Sequence, residues 1–126
     1  RFSYFIRRKI ANRLHLPARR IHYKEVLKNW FSGNEEDERC YPTIIPNYDR
    51  SPRAGTAGTI IYGSTPELFE EHVKQAIKLV KDKYLEHRII ILKSWNEWGE
   101  GNYLEPDLRY GKKFIESLRE VYDKSK

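Results

Sequence analysis

Methionine is missing from all 126 residues, and cysteine occurs once, at Cys40. A lone cysteine excludes an intrachain disulfide and a cysteine-based zinc cluster, and makes a reducing compartment, the cytoplasm, the default expectation. No apolar run approaches the roughly 20 residues that span a bilayer, so no transmembrane segment is expected, and no signal-peptide pattern opens the chain. The opening RFSYFIRRKI reads like the middle of a protein, and the chain is expected to be a piece of a longer one. Nucleotide-loop and serine-hydrolase signatures are also lacking, since G-x-x-x-x-G-K-[ST], G-x-G-x-x-G and G-x-S-x-G do not occur. The histidines at 15, 22, 72 and 87 have no metal-binding spacing and are read as structural, so neither a metal nor a cofactor is expected.

Negative charge is scarce at the start. Residues 1–30 hold nine Lys or Arg against one Glu, whereas the remainder holds fifteen against seventeen. Arg7, Arg8, Lys9, Arg13, Arg19 and Arg20, interleaved with Phe2, Tyr4 and Phe5, could form an anion-binding patch. No nucleic-acid motif accompanies the run, and a solvated basic face is the simpler reading, so nucleic acid is not an expected partner.

What is abundant is aromatic: 13% of the residues, with nine Tyr and three Trp, which can fill a core or stack on sugars and bases. Apolar residues at Phe2, Phe5, Ile6, Ile10 and Leu14 predict a helix that Pro17 stops. Tyr23, Val26, Leu27 and Trp30 predict a second one that Gly33 closes, so 1–33 is expected to be a basic helical segment. The acidic run 35–38 is read as a surface loop. Residues 40–46, CYPTIIP, predict a buried strand bounded by prolines, and NYDRSPRAGTAGTIIYGST a long loop. Thr65, Pro66 and Glu67 carry a helix-start signal ahead of Phe69, Val73, Ile77, Val80 and Tyr84, which predicts a helix over 66–86. Residues 88–94, RIIILKS, predict a strand buried on both faces. After Pro106, Leu108, Phe114, Ile115, Leu118, Val121 and Tyr122 predict a last amphipathic helix. Strands separated by long helices imply an α/β fold with parallel strands, and in such folds ligands bind at the carboxyl ends of the strands. Both polar segments, 47–64 and 96–107, are expected to leave from those ends.

The second of these reads SWNEWGEGNYLEPD. Glu97 and Glu100 are three apart, so a helical turn or tight loop brings both carboxyls to one side. Such a pair can divide into a proton donor and a base or nucleophile, the requirement for glycosidic bond cleavage. Trp95 and Trp98 offer flat faces for sugar rings, Tyr103 is a third ring, and Asn96 offers both a donor and an acceptor. Packing tryptophans beside surface glutamates paired with Lys or Arg would explain the same spacing. Asp49 and Arg53, on the other segment, could bind sugar hydroxyls and an anionic group, or bind each other. Glu105 is expected to brace the loop.

WNEWGEGNYLEPD, preceded by an apolar strand and followed by YGKKFIESL, resembles the C-terminal part of the WbsX-like proteins, bacterial polysaccharide-biosynthesis proteins related to glycoside hydrolase family 99. PNYDRSPRAG and GSTPELFEEHVKQAI also look like that family's P-x-x-D-x-x-x-R loop and following helix. The resemblance covers roughly residues 40–120, with RIHYKEVLKNWF a weaker addition. It implies the C-terminal portion of a (β/α)8 TIM-type barrel, with 40–126 as its last two βα units and the remainder of the parent barrel as a partner. It also implies a retaining-type glycoside cleavage or glycosyl transfer on an α-linked, mannose-like bacterial polysaccharide. In it Glu97 would be the base acting on the sugar's own 2-hydroxyl and Glu100 the acid. The hydrolases commonly carry His where this chain has Gly99, and the WbsX-like branch is usually described as glycosyltransferase. A non-catalytic sugar-binding or structural barrel domain is the alternative.

Overall fold

The computed structural model describes residues 5–6, 9–10, 13–14 and 19–125. Most of the helix expected over 2–16 lies outside the described residues, as does His15; residues 5–6, 9–10 and 13 are helical. The basic segment is not helical throughout, because Arg19–His22 forms a strand, β1. Its pairing partner lies far along the chain at Thr59–Tyr62, here β4, in parallel register from Arg19↔Thr59 to His22↔Tyr62. Two arginines in a four-residue strand leave no alternation to detect.

Helix α1, Tyr23–Asn29, follows directly, with the His22 side chain accepting from the Lys24 amide at its N-cap. Tyr23, Val26 and Leu27 are buried, as their spacing predicts, and Trp30 Nε1 donates to the Thr43 carbonyl at 2.6 Å. The acidic run that follows makes a single 3-10 turn, Asn34–Glu36, and it is not merely solvated. Glu35 accepts from the Ser32 and Gly33 amides, and Glu38 meets His87 at 2.5 Å.

Strand β2 is Thr43–Ile44 and pairs in parallel with β5, Ile91–Leu92. Both are shorter than the expected 40–46 and 88–94, because Pro42 and Pro46 withhold amide donors on either side of β2. The ladder continues through the Ile91 amide to the Pro42 carbonyl and the Lys93 amide to the Ile44 carbonyl, both 2.9 Å. The expectation of burial on both faces fails for β5: Ile90 and Leu92 pack toward the core, while Ile89 and Ile91 are nearly half exposed. Two helices cover the face of Ile44, Ile90 and Leu92, while Ile45, just past β2, packs with α1 and Ile61 of β4 in a second cluster.

Those helices are α3, Pro66–Val80, and α4, Lys113–Lys124. Thr65 caps α3 by accepting from the Leu68 amide, and Pro66 occupies the first turn, where its missing N–H costs nothing. The helix ends at Val80 rather than 86, since the chain turns to let buried Lys83 donate to the Asp37 and Cys40 carbonyls. Phe69, Val73 and Ala76 meet Phe114 and Val121 of α4 over Ile44 and Leu104, forming the main core. The last helix starts later than expected. Asp107 Oδ1 accepts from the Arg109 and Tyr110 amides and Gly111 turns at φ 58°, so Leu108 sits on a turn, fully exposed, instead of on a helix face.

The expected loop over 47–64 is largely structured. It contains β3, Tyr48–Asp49, then α2, Ser51–Ala54, a 3-10 turn over Gly55–Ala57, and β4. β4 returns antiparallel to β3 and parallel to β1, giving a three-stranded sheet in the order β1-β4-β3. Thr59–Tyr62 is β-prone, yet flanking glycines and remote partners hide it from a local reading. The result is a mixed α/β arrangement in which a parallel pair carries structured insertions at its carboxyl ends. No closed barrel is seen among the described residues, and no described helix is long and apolar enough to cross a membrane.

Candidate functional site

SWNEWGEGNYLEPD folds as a β-hairpin. Strand β6, Asn96–Glu97, pairs antiparallel with β7, Asn102–Tyr103, in the register Asn96↔Tyr103 and Glu97↔Asn102. The 3-10 turn Trp98–Glu100 joins them, and Gly101 closes it at φ 50°, a left-handed conformation that glycine adopts without strain. A Cβ at 101 would also lie 3.0 Å from the Asp49 Cβ and 3.2 Å from the Asp49 amide nitrogen, so this glycine lets the hairpin rest on β3.

Cross-strand partners share a face, which places Glu97 with buried Asn102 and Asn96 with Tyr103. The Asn102 side chain donates from Nδ2 to the Asn47 carbonyl at 2.6 Å, and the Asn47 side chain accepts from the Tyr103 backbone amide at 2.8 Å. This reciprocal clasp joins the two polar segments. Neither asparagine was singled out in the sequence, although Asn47 just past a strand rich in proline was the available signal.

The charged groups complete the junction. Arg53, on α2, reaches Glu97 Oε1 with Nη2 at 3.2 Å and Glu100 Oε1 with Nη1 at 3.4 Å. Arg50 approaches the same Glu100 oxygen at 3.6 Å. Glu97 and Glu100 thus come together as the spacing predicts, beside Arg53, and Arg50 joins them although the sequence did not distinguish it. The anticipated Asp49–Arg53 pairing does not form. Asp49 Oδ1 instead accepts from the Ser51 amide at 2.8 Å and the Ser51 hydroxyl at 2.6 Å, which shapes the first turn of α2 while Arg53 turns to the glutamates.

The aromatic residues divide. Trp98 stacks on Tyr103 with ring centroids 3.7 Å apart and planes 13° from parallel, and its Nε1 donates to Glu105 at 2.7 Å. Glu105 therefore braces the turn, as expected. Trp98 remains 49% exposed, so with one face on Tyr103 it presents the other to solvent. Burial, and to a lesser degree neighbouring Asp107, raises the Tyr103 phenol above its ordinary pKa. Trp95 is also half exposed, and its carbonyl accepts from the Leu104 and Glu105 amides. Asn96 is exposed.

Among the described residues no group of three or more His, Cys, Asp or Glu could hold a metal ion. His72 is fully buried among Tyr23, Trp30 and Phe31. The Tyr23 hydroxyl donates to the Ile45 carbonyl, so at 2.9 Å it must accept from His72 Nδ1, which fixes the neutral tautomer with the proton on Nδ1. Burial pushes the His72 pKa down to about 4.

A parallel strand pair with a carboxylate hairpin and an arginine-bearing turn at its carboxyl ends defines an α/β protein with a polar strand-end rim, a usual place for ligands in this class. Residues 3–118 match the family described as Glycosyltransferase WbsX, and the chain belongs to that family. It is 26% identical over 102 residues to the "Uncharacterized protein WxcX" of Xanthomonas campestris pv. campestris strain ATCC 33913, covering 80% of this chain and 15% of that protein. The WxcX protein of strain B100 is 26% identical over 100 residues, covering 79% of this chain and 14% of that protein. The chain thus spans about 15% of the length of the curated relatives it matches. No solved structure matches it. The resemblance to the WbsX-like proteins is borne out.

Proposed function

We infer that the chain is the C-terminal portion of a (β/α)8-barrel enzyme that makes or breaks an α-glycosidic bond, mannose-like, in bacterial surface polysaccharide. The observation that carries this reading is the pairing of Glu97 and Glu100 on one guanidinium at the carboxyl end of the β2–β5 pair, in the same hairpin turn as half-exposed Trp98. The half-exposed Ile89 and Ile91 along β5 support further barrel strands and helices beyond those described. Residues 40–126 would be the last two βα units, and 1–33 the segment leading into them.

In the first step Glu97 takes the proton of the sugar 2-hydroxyl while that oxygen attacks the anomeric carbon. The bond to the leaving oxygen breaks, and Glu100 gives that oxygen its proton. In the second step Glu100 takes a proton from an incoming hydroxyl as it attacks the anomeric carbon, the bond from that carbon to the 2-oxygen breaks, and the 2-oxygen recovers its proton from Glu97. Water as the incoming group gives hydrolysis, and a sugar hydroxyl gives transfer. Trp95 and Trp98 would stack the sugar, Tyr103 would support Trp98, Asn96 and Asp49 would meet its polar groups, and Arg53 would hold the two carboxylates.

The Arg53 contacts also favour a second reading, a sugar-binding domain whose acids serve only as partners for arginine. Turnover of α-mannoside oligosaccharides by the intact protein separates the two. Glu97→Gln and Glu100→Gln should each lower the rate by about 10²–10⁴-fold. Glycan binding without turnover in the parent would favour the second reading.

A further inference from the structure

We propose that Arg53 is the positioning residue that sets the spacing of the Glu97 and Glu100 carboxylates, and that Gly99 is the residue that admits it. This rests on the carbohydrate-processing reading of the site. Arg53 comes from α2, whereas both acids come from the hairpin, so one side chain ties two segments and both reacting groups. Its two terminal nitrogens are fixed relative to each other in a planar fork, and each holds a different carboxylate. A lysine, with a single charged nitrogen on a flexible stem, would attract the acids without fixing their separation. Arg50 does not duplicate the function, because it meets Glu100 alone.

Gly99 is not required by its backbone: it is absent from the positive-φ glycines, unlike Gly101 two residues later. It is required by space. A Cβ there would lie 3.1 Å from Arg53 Nη2, 3.1 Å from Glu97 Oε1 and 3.4 Å from Arg53 Nε. These neighbours are side-chain ends that must give by a few tenths of an ångström, and because they are the two sides of the Arg53–Glu97 contact, that shift falls on the pair. The chain therefore spends a glycine in an exposed turn on keeping that pair closed.

Steady-state kinetics of the intact protein on an α-mannoside oligosaccharide, with crystal structures of the variants, test this. Arg53→Gln should lower kcat about 100-fold, the scale of a 1 Å misplacement, with KM changed less than about threefold. Arg53→Lys should recover only part of the loss. Gly99→Ala should lower kcat about tenfold alone yet less than about twofold in the Arg53→Gln background, because the methyl then has no Arg53–Glu97 pair to disturb. Losses that multiply in the double variant, or a loss confined to KM, would overturn the proposal. The structures give a readout independent of turnover: the Arg53–Glu97 contact should lengthen in Gly99→Ala, and unchanged positions of Arg53 and both carboxylates there would overturn the proposal at any rate of turnover. Parental rates in Glu97→Gln and Glu100→Gln would instead overturn the reading on which it rests.

Discussion

Phe69, in the first turn of α3, and Glu97, at the start of the hairpin turn, belong to regions that are held together in opposite ways. Around Phe69 the contacts are apolar and the side chain is fully buried, so its position follows from the area that α3, α4, Ile44 and Leu104 remove from water. Around Glu97 the contacts are hydrogen bonds and ion pairs between two segments remote in sequence, with Arg53 more than half exposed. Such exposed pairs contribute only about 0–1 kcal/mol each. A rim held by many small polar terms can exchange some of them for contacts to a ligand, whereas the core beneath it cannot. The helical side supplies stability and the rim supplies adjustable chemistry.

Truncating the core should break this contrast most severely. Phe69→Ala is expected to cost about 3–5 kcal/mol of stability in the intact protein, measured by chemical denaturation. A loss under about 1 kcal/mol would mean that the helices do not depend on this core.

The buried polar residue beside the core sharpens the contrast through pH. The His72 pKa, about 4, lies below its ordinary 6.5 because burial disfavours the charged ring. Its contribution is fully present above pH 6.5 and is lost as the pH falls toward 4, on the order of 3 kcal/mol in all. His72→Phe should flatten that part of the stability profile, whereas an unchanged slope between pH 6.5 and 4 would show that His72 is not the group responsible. Gly101→Ala should have the smallest effect on stability, about 1–2 kcal/mol from the left-handed backbone. Its effect on turnover should be larger in proportion, since the added carbon presses on Asp49. Kinetics and melts on the same preparation would compare the two.

The helical side was legible in the sequence because its signals are local. Thr65 and Pro66 announce α3, and Phe69, Val73 and Val80 fall on the face that is buried. The parallel pairing of β2 with β5 followed from the long helix between them. The hairpin pair Glu97 and Glu100 was legible for the same local reason. What was not legible depends on partners distant in sequence. RRIH becomes a strand by pairing with TIIY, which also pairs with Tyr48–Asp49, and Arg53 turns from nearby Asp49 to two carboxylates on another segment. Leu108 fits a helical period, but Asp107 and Gly111 spend that stretch on a turn.

The most direct test of the rim as a site of carbohydrate chemistry is a paired measurement on Glu97→Gln and Glu100→Gln: affinity for an α-mannoside oligosaccharide and turnover of it, in the intact protein. The account predicts binding within about threefold of the parent and turnover reduced by about 10²–10⁴-fold in both variants. Turnover at the parental rate in both would contradict it.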